Sequence, residues 1–269
     1  MTNTVFTMNI LVPILTLGAL GLIFGIGLAV ASKRLSIQID SRFERVYGLL
    51  PGANCGACGS AGCFGFAQML LSGKAEVSAC RVSEEGVREQ IAKLLGKSVE
   101  KKVRRVAVLH CNGGIKVKDR FLYRGIEDCI AANLVLGGEK CCVYGCLGFG
   151  TCAKVCPFGA IKMSDEGIPQ VDRDKCRACN KCVLICPKKL FTLIPITHNI
   201  FVACNSHDAG KDTKAVCPVG CIACKLCEKA CPVDAIHVID NLAVVDYNKC
   251  TSCGECVKVC PMKTIRVRE

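Results

Sequence analysis

The chain repeats one compact cysteine run, and this repeat constrains its fold more than any other feature of the sequence. Three segments follow the pattern C-x-x-C-x-x-C-x-x-x-C-P without deviation: residues 176–187, 221–232 and 250–261. A fourth, looser copy consists of Cys142, Cys146, Cys152 and Cys156, followed by Pro157. In a run of this type three thiolates ligate one [4Fe–4S] cluster and the fourth ligates its neighbour. The four copies therefore predict four clusters, arranged as two pairs.

The paired copies predict two ferredoxin-like domains of the α+β class, at residues 140–195 and 218–269. A short apolar strand is expected after each copy, at residues 160–163, 190–194, 235–239 and 264–267. In the first domain we assign one cluster to Cys142, Cys146, Cys152 and Cys186, and the other to Cys156, Cys176, Cys179 and Cys182. In the second domain we assign one to Cys221, Cys224, Cys227 and Cys260, and the other to Cys231, Cys250, Cys253 and Cys256.

A separate set of four cysteines lies nearer the N-terminus, with the spacing C-x2-C-x4-C-x16-C: Cys55, Cys58, Cys63 and Cys80. Glycines interleave with them, and glycine lets the backbone approach a cluster and donate N–H groups to its sulfurs. We interpret residues 35–100 as a small, mostly helical domain with its own [4Fe–4S] cluster. A helix is expected there from an N-cap at Ser83 to about Leu95. A four-cysteine zinc site is the alternative interpretation of this set.

Five cysteines remain outside these sets: Cys111, Cys129, Cys141, Cys204 and Cys217. Cys141 adjoins Cys142 and is left without an assignment. The other four form two pairs on either side of the first ferredoxin-like domain, in connecting segments 101–139 and 196–217. If that domain is an insertion, its ends bring the two pairs together, and we predict a sixth, split cluster there. The alternative is that these four thiols are unligated and buried as small hydrophobic side chains.

The composition suits a protein built around six [4Fe–4S] clusters. Cysteine accounts for 25 of the 269 residues, and disulfide scaffolds do not repeat one four-cysteine unit ending in proline. The formal charge of +12 does not by itself indicate a nucleic-acid partner, because each cluster with its four thiolates carries roughly −2. No G-x-G-x-x-G lies between a strand and a helix, so no nucleotide site is predicted. We expect the chain to move electrons while bond chemistry occurs elsewhere.

An apolar segment near the N-terminus predicts a transmembrane anchor, residues 1–34. Residues 10–31 carry no charge, and at about 1.5 Å per residue they span about 33 Å, enough to cross the hydrocarbon core. Lys33 and Arg34 follow, and no basic residue precedes. The positive-inside rule then places the N-terminus outside and the cluster domains in the cytoplasm. A cleaved signal peptide is the alternative, since Ala29-Val30-Ala31 resembles a cleavage site.

The order of these features resembles the B subunit of the Rnf complex, called Rsx in some enterobacteria. The resemblance covers essentially the whole chain: one membrane helix, the C-x2-C-x4-C-x16-C set, the segment CVYGCLG at 142–148, and the ferredoxin runs. The N-terminal set is also similar to an Fe–S module in corrinoid proteins of acetyl-CoA metabolism.

This resemblance implies that the chain accepts electrons from reduced ferredoxin and passes them to membrane subunits. The complex would couple ferredoxin oxidation and NAD⁺ reduction to Na⁺ or H⁺ translocation, with NAD and FMN bound by other subunits. The N-terminal domain would face the membrane subunits, and the C-terminal domains would face the soluble donor. Two alternatives remain: an Rsx-type system that keeps an Fe–S transcription factor reduced, and an electron-feeding subunit of another membrane dehydrogenase.

Overall fold

A computed structural model describes residues 2–35, 41–98 and 103–268, and the chain divides into two units, Met1–Phe43 and Glu44–Glu269. The first unit consists mainly of one helix, α1 (Thr2–Leu35). Its segment Ile14–Leu35 has a mean hydropathy of 2.4 and is long and apolar enough to cross a membrane. Every side chain described in this segment is exposed. The predicted apolar helix is confirmed, and it continues through the two basic residues that follow the apolar run.

The second unit begins with a helical region that carries the N-terminal cysteine set. Its helices are α2 (Phe43–Leu49), which starts at the end of the first unit, α3 (Cys63–Leu71) and α4 (Glu85–Leu95). The predicted helix to Leu95 is confirmed, but Ser83 is not its N-cap, because Glu84 occupies that position. The Ser83 hydroxyl instead donates a hydrogen bond to the Cys80 thiol, 3.0 Å away. The predicted domain limit after residue 100 lies outside the described residues.

The first ferredoxin-like unit is built from two antiparallel pairs of strands. Strand β1 (Arg105–Leu109) pairs with β4 (Phe191–Pro195), and β2 (Ile161–Met163) pairs with β3 (Pro169–Val171). Four of the five β1 residues are buried. Three of them, Val106, Ala107 and Leu109, pack in one core with the other strands and with cysteines of the repeated runs. Strand β1 precedes residue 140, so the pairing extends this unit beyond its predicted start.

The second ferredoxin-like unit repeats the same arrangement. Strand β5 (Ile200–Val202) pairs with β8 (Ile265–Val267), and β6 (Ile236–Ile239) pairs with β7 (Leu242–Val245). Its opening strand also lies before the predicted limit, residue 218. In both units the first strand pairs with the last, because a buried strand needs a hydrogen-bonding neighbour along its length. The four strands predicted after the cysteine runs are confirmed.

Short helices connect the strands and carry the cysteines. They are α5 (Cys129–Leu134), α6 (Thr151–Lys154), α7 (Lys181–Ile185), α8 (Gly210–Val216), α9 (Leu226–Lys229) and α10 (Glu255–Lys258). Four of them, α6, α7, α9 and α10, contain or adjoin the third cysteine of a run. The elements are short because the cysteine loops, rather than long apolar faces, occupy the centre of each unit.

Candidate iron–sulfur centres

Three cavities are each lined by four cysteines that the sequence assigns to one cluster. Cavity A is lined by Cys156, Cys176, Cys179 and Cys182. Cavity D is lined by Cys221, Cys224, Cys227 and Cys260. Cavity E is lined by Cys231, Cys250, Cys253 and Cys256. In each cavity one cysteine comes from the opposite copy of the run, so the exact spacing predicts the crossing of the fourth thiol correctly.

Two further cavities exchange one cysteine relative to the sequence-based assignment. Cavity B is lined by Cys129, Cys146, Cys152 and Cys186. Cavity C is lined by Cys111, Cys142, Cys204 and Cys217. The sequence placed Cys142 in the first ferredoxin-like set and Cys129 in the split set. The structure corrects both placements, because Cys129 lies with the ferredoxin-like set and Cys142 lies with the split one.

The backbone of the repeated runs explains this exchange. Three equivalent positions in every copy have a positive φ: Gly148, Gly150 and Gly159; Ala178, Asn180 and Lys189; Ala223, Lys225 and Asp234; Ser252, Gly254 and Lys263. In the exact copies the first two of these positions flank the second cysteine of the run. In the first copy they flank Phe149. The run therefore reads C-x-x-F-x-x-C-x-x-x-C-P from Cys146, with phenylalanine in place of the second cysteine.

Helix α5 supplies the missing cysteine. Cys129 is its first residue, and the Asp128 carboxylate caps the helix by accepting hydrogen bonds from the next two N–H groups. Thr151, which starts α6, joins the two elements. Its hydroxyl oxygen accepts a hydrogen bond from the Cys129 N–H at 2.8 Å and donates one to Asp128 at 2.7 Å. This hydroxyl is also the main cause that lowers the pKa of Asp128, which keeps the cap ionised.

Replacing Thr151 by valine should loosen Cys129 from cavity B. The substitution removes the hydroxyl while keeping the shape of the side chain, and it leaves a backbone donor without its partner, at a cost of about 1–3 kcal/mol. We expect a chelator to remove about four of about 24 irons faster than from the unsubstituted chain. Thr151→Ser retains the hydroxyl and should behave as the unsubstituted chain. Equal rates for the valine and serine variants would contradict this role.

Cavity C joins the two ferredoxin-like units. Cys111 follows β1 of the first unit, and Cys204 follows β5 of the second. Cys217 is the C-cap of α8 and directly follows its last residue. Cys142 lies in the loop at the start of the looser run. The prediction that cysteines on either side of the first domain meet is thus confirmed for Cys111, Cys204 and Cys217. The fifth unassigned cysteine, Cys141, packs against the residues around this cavity without lining it.

The chemistry of the lining thiols fits a cationic metal cluster. Burial raises the pKa to about 12 for Cys152 and Cys182, and to about 11 for Cys227 and Cys256. Neighbouring thiolates raise these pKa values further. Four thiolates gathered in one buried cavity therefore require a compensating positive charge, and iron accepts soft sulfur ligands.

Backbone N–H groups point at several thiols of the runs. Four residues after the last cysteine of a run, the N–H of Leu190, Ala235 and Thr264 donates to the sulfur of Cys186, Cys231 and Cys260 at 3.2–3.5 Å. The left-handed residues just before these donors turn the chain so that the N–H faces back to the sulfur. Such donors stabilise a thiolate ligand and influence the potential of a bound cluster.

The N-terminal set is organised by helix α3 and an adjacent loop. Cys63 begins the helix, and its N–H donates to the Asn54 side-chain oxygen at 2.7 Å. Asn54 immediately precedes Cys55 and has a φ of 44°. Cys80 follows a short 3-10 turn and accepts the hydrogen bond from Ser83 described above. The assignment of this set to one cluster stays a prediction.

Profiles of four protein families match the cysteine-bearing parts of the chain. Residues 50–82 match a family described as a putative Fe-S cluster. Residues 220–264 match a 4Fe-4S dicluster domain, and residues 168–191 and 141–160 each match a 4Fe-4S binding domain. The chain therefore contains several 4Fe-4S binding domains.

Three curated relatives match most of the chain. The B subunit of the Na⁺-translocating ferredoxin:NAD⁺ oxidoreductase complex of Acetobacterium woodii is 45% identical over 90% of this chain and 73% of its own. The B subunit of the ion-translocating oxidoreductase complex of Methanosarcina acetivorans is 43% identical over 95% of this chain and 97% of its own. The chain belongs to this family of B subunits. The B subunit of the proton-translocating ferredoxin:NAD⁺ oxidoreductase complex of Clostridium ljungdahlii is 44% identical over 90% of this chain and 87% of its own.

In this family member, two short helices each join a pair of cavities. Cys152 in α6 lines cavity B, and Cys156, just beyond the end of that helix, lines cavity A. In the same way Cys227 in α9 lines cavity D, and Cys231 lines cavity E. Each ferredoxin-like unit therefore holds two adjacent cavities separated by one turn of helix.

Backbone contacts connect these pairs through cavity C. The Cys146 N–H of cavity B donates to the Cys111 sulfur of cavity C at 3.4 Å. The Cys221 N–H of cavity D donates to the Cys204 sulfur of cavity C at 3.3 Å. At the other end, the charge of Cys55 contributes to the raised pKa of Cys179 in cavity A. The two short helices and these hydrogen bonds thus place the cavities in the order A, B, C, D and E.

Proposed function

We propose that this chain carries electrons from reduced ferredoxin to the membrane subunits of an ion-translocating ferredoxin:NAD⁺ oxidoreductase complex. The observation that supports this most strongly is the unbroken series of cysteine sets. An electron-transfer chain requires redox centres at short distances from one another. The hydrogen bonds from Cys146 to Cys111 and from Cys221 to Cys204 bring successive sets into direct contact.

The proposed ligands are the four cysteines of the N-terminal set and the four that line each of cavities A to E. Each [4Fe–4S] cluster, when bound, takes up and releases one electron at a time. The protein holds the thiolates in cavities and supplies backbone N–H donors to several of the sulfurs. This proposal uses 24 of the 25 cysteines and leaves Cys141 without a ligand role.

We propose that soluble ferredoxin docks at the second ferredoxin-like unit. Only Cys224 and Cys253 are exposed among the cysteines, all of which lie in the described part of the chain. They line cavities D and E, at the end of the series farthest from the N-terminal set. An exposed ligand shortens the distance to a partner's own redox centre. The N-terminal set follows the apolar helix in sequence, and we place it beside the membrane subunits.

The proposed location is the cytoplasmic membrane, with the N-terminus outside and the cluster domains in the cytoplasm. The basic residues Lys33 and Arg34 at the end of α1 support this orientation. The names of the relatives include both Na⁺ and proton translocation. We assign the ion pathway to other subunits, because α1 is the one candidate membrane span within the described residues.

Iron content and reduction by ferredoxin together test the proposed function. Protein purified without oxygen should contain about 24 iron and about 24 acid-labile sulfide per chain, four of each per cluster. Rapid mixing with reduced ferredoxin should bleach the visible absorbance of the clusters. Cys224→Ser should slow this bleaching far more than Cys141→Ser, the matched control. Full iron content with no reduction by ferredoxin would refute the role as electron acceptor.

A further inference from the structure

The residue that follows the Cys-Pro of each run faces a cavity, and in one copy it is charged. Phe158 lines cavity A, Met262 lines cavity D and Val233 lines cavity E. The equivalent residue in cavity B is Lys188. Three of the four equivalent positions therefore present an apolar side chain to the cluster site, and the fourth presents an ammonium group.

Contacts hold the Lys188 ammonium in place. Its Nζ donates to the Val143 carbonyl oxygen at 2.7 Å. The loop at Gly137 passes close to this ammonium. A Cβ atom added at Gly137 would lie only 3.4 Å from Nζ. The Arg120 guanidinium fixes that loop by donating to the Leu136 and Gly138 carbonyl oxygens at 2.9 and 2.7 Å. Lys188 is thus a fixed, half-buried group and not a mobile surface lysine.

The ammonium lies between two cysteine sets. Lys188 lines cavity B together with Cys186, and the Val143 carbonyl that accepts its hydrogen bond directly follows Cys142 of cavity C in the chain.

We propose that the positive charge of Lys188 raises the reduction potential of the cluster in cavity B above that of the cluster in cavity A. A nearby positive charge stabilises the reduced cluster, which carries one more negative charge than the oxidised one. The ammonium also lies near cavity C, because the Val143 carbonyl oxygen that it contacts belongs to the residue after Cys142. An electron arriving in the series would then rest near its middle, where the two ferredoxin-like units meet. This inference rests on the proposed function, because it requires reducible clusters in these cavities.

Redox titration followed by electron paramagnetic resonance tests this role in the full-length, cluster-loaded chain. Lys188→Met replaces the ammonium by an uncharged side chain of similar length and should shift part of the titration to lower potential. Lys188→Arg keeps the charge and should restore most of the unsubstituted profile. Lys189→Met is the matched control, because it removes the same charge from the adjacent, exposed residue. Met262→Lys should produce the opposite shift, to higher potential, for a cluster of the second unit.

Iron content and spin count of each sample are measured first, so that cluster loss is separated from a change in potential. An unshifted titration of Lys188→Met at full iron content would overturn the inference while leaving the proposed function intact. An equal shift in Lys189→Met would also overturn it, because general surface charge would then be the cause. Absence of any reducible cluster in the unsubstituted chain would instead refute the proposed function.

Discussion

The double substitution of Cys129 and Cys146 by serine is expected to remove one cluster, whereas that of Cys142 and Cys146 should remove two. In the structure Cys129 and Cys146 line the same cavity, and Cys142 lines another. Once one thiolate of a cluster is lost, losing a second from the same cluster removes no further iron. The Cys129/Cys146 double variant should therefore retain about 20 of about 24 irons, and the Cys142/Cys146 double variant about 16.

Iron and sulfide analysis of anaerobically purified protein distinguishes these outcomes, and each single variant should retain about 20 irons. Cys141→Ser provides the matched control, since this thiol adjoins Cys142 in sequence and lines none of the five cavities. It should keep the full complement. The opposite pattern, with two clusters lost from Cys129 and Cys146 together, would restore the assignment made from sequence.

Phe149→Cys should restore the cluster that Cys129→Ser removes. Phe149 occupies the second-cysteine position of the first run, between Gly148 and Gly150, just as Cys179 lies between Ala178 and Asn180. Gly148, Gly150, Ala178 and Asn180 all have positive φ, so the loop already has the conformation that presents a thiol to the cavity. The double variant should regain about four irons over the single one.

Phe149→Ser in the same background is the control for this rescue, because it removes the aromatic ring without adding a thiol. It also removes the contact between the Phe149 and Tyr123 rings, whose centroids lie 5.5 Å apart. Iron content should stay at the level of Cys129→Ser alone. Equal iron in the cysteine and serine variants would show that position 149 does not face the cluster site.

The three exact runs allowed most of the fold and three of the cavities to be predicted from sequence. Their spacing predicted which thiols of a run line the same cavity, and the short strands follow each run directly. Cys186, Cys231 and Cys260 each line the cavity of the opposite set, as predicted. Each follows a short helix that ends one or two residues before it, so the chain has left the helix when it reaches the cysteine. Such predictions depend only on residues close together in sequence.

The exchange of Cys129 and Cys142 could not be predicted from counting cysteines. A ligand from a separate helix replaces a missing one, and no local spacing identifies a residue that arrives from 20 positions away. One signal was available: Phe149 lies where an exact run requires its second cysteine. The apolar run at residues 106–109 predicts a strand, and β1 confirms it, but the pairing of β1 with β4 and of β5 with β8 could not be predicted because the partners lie far along the chain. The contact between Lys188 and Val143 is limited in the same way.

Cavity C has a consequence for how the protein is assembled. Its four thiols come from both ferredoxin-like units, so neither unit can complete this site alone, whereas cavities A and B or D and E belong to one unit each. Iron would therefore enter C last, after both halves have folded and come together. A chain interrupted between the two units during synthesis would contain the first unit with cavities A and B but could not complete cavity C. Completion of cavity C thus requires both units to be folded and in contact.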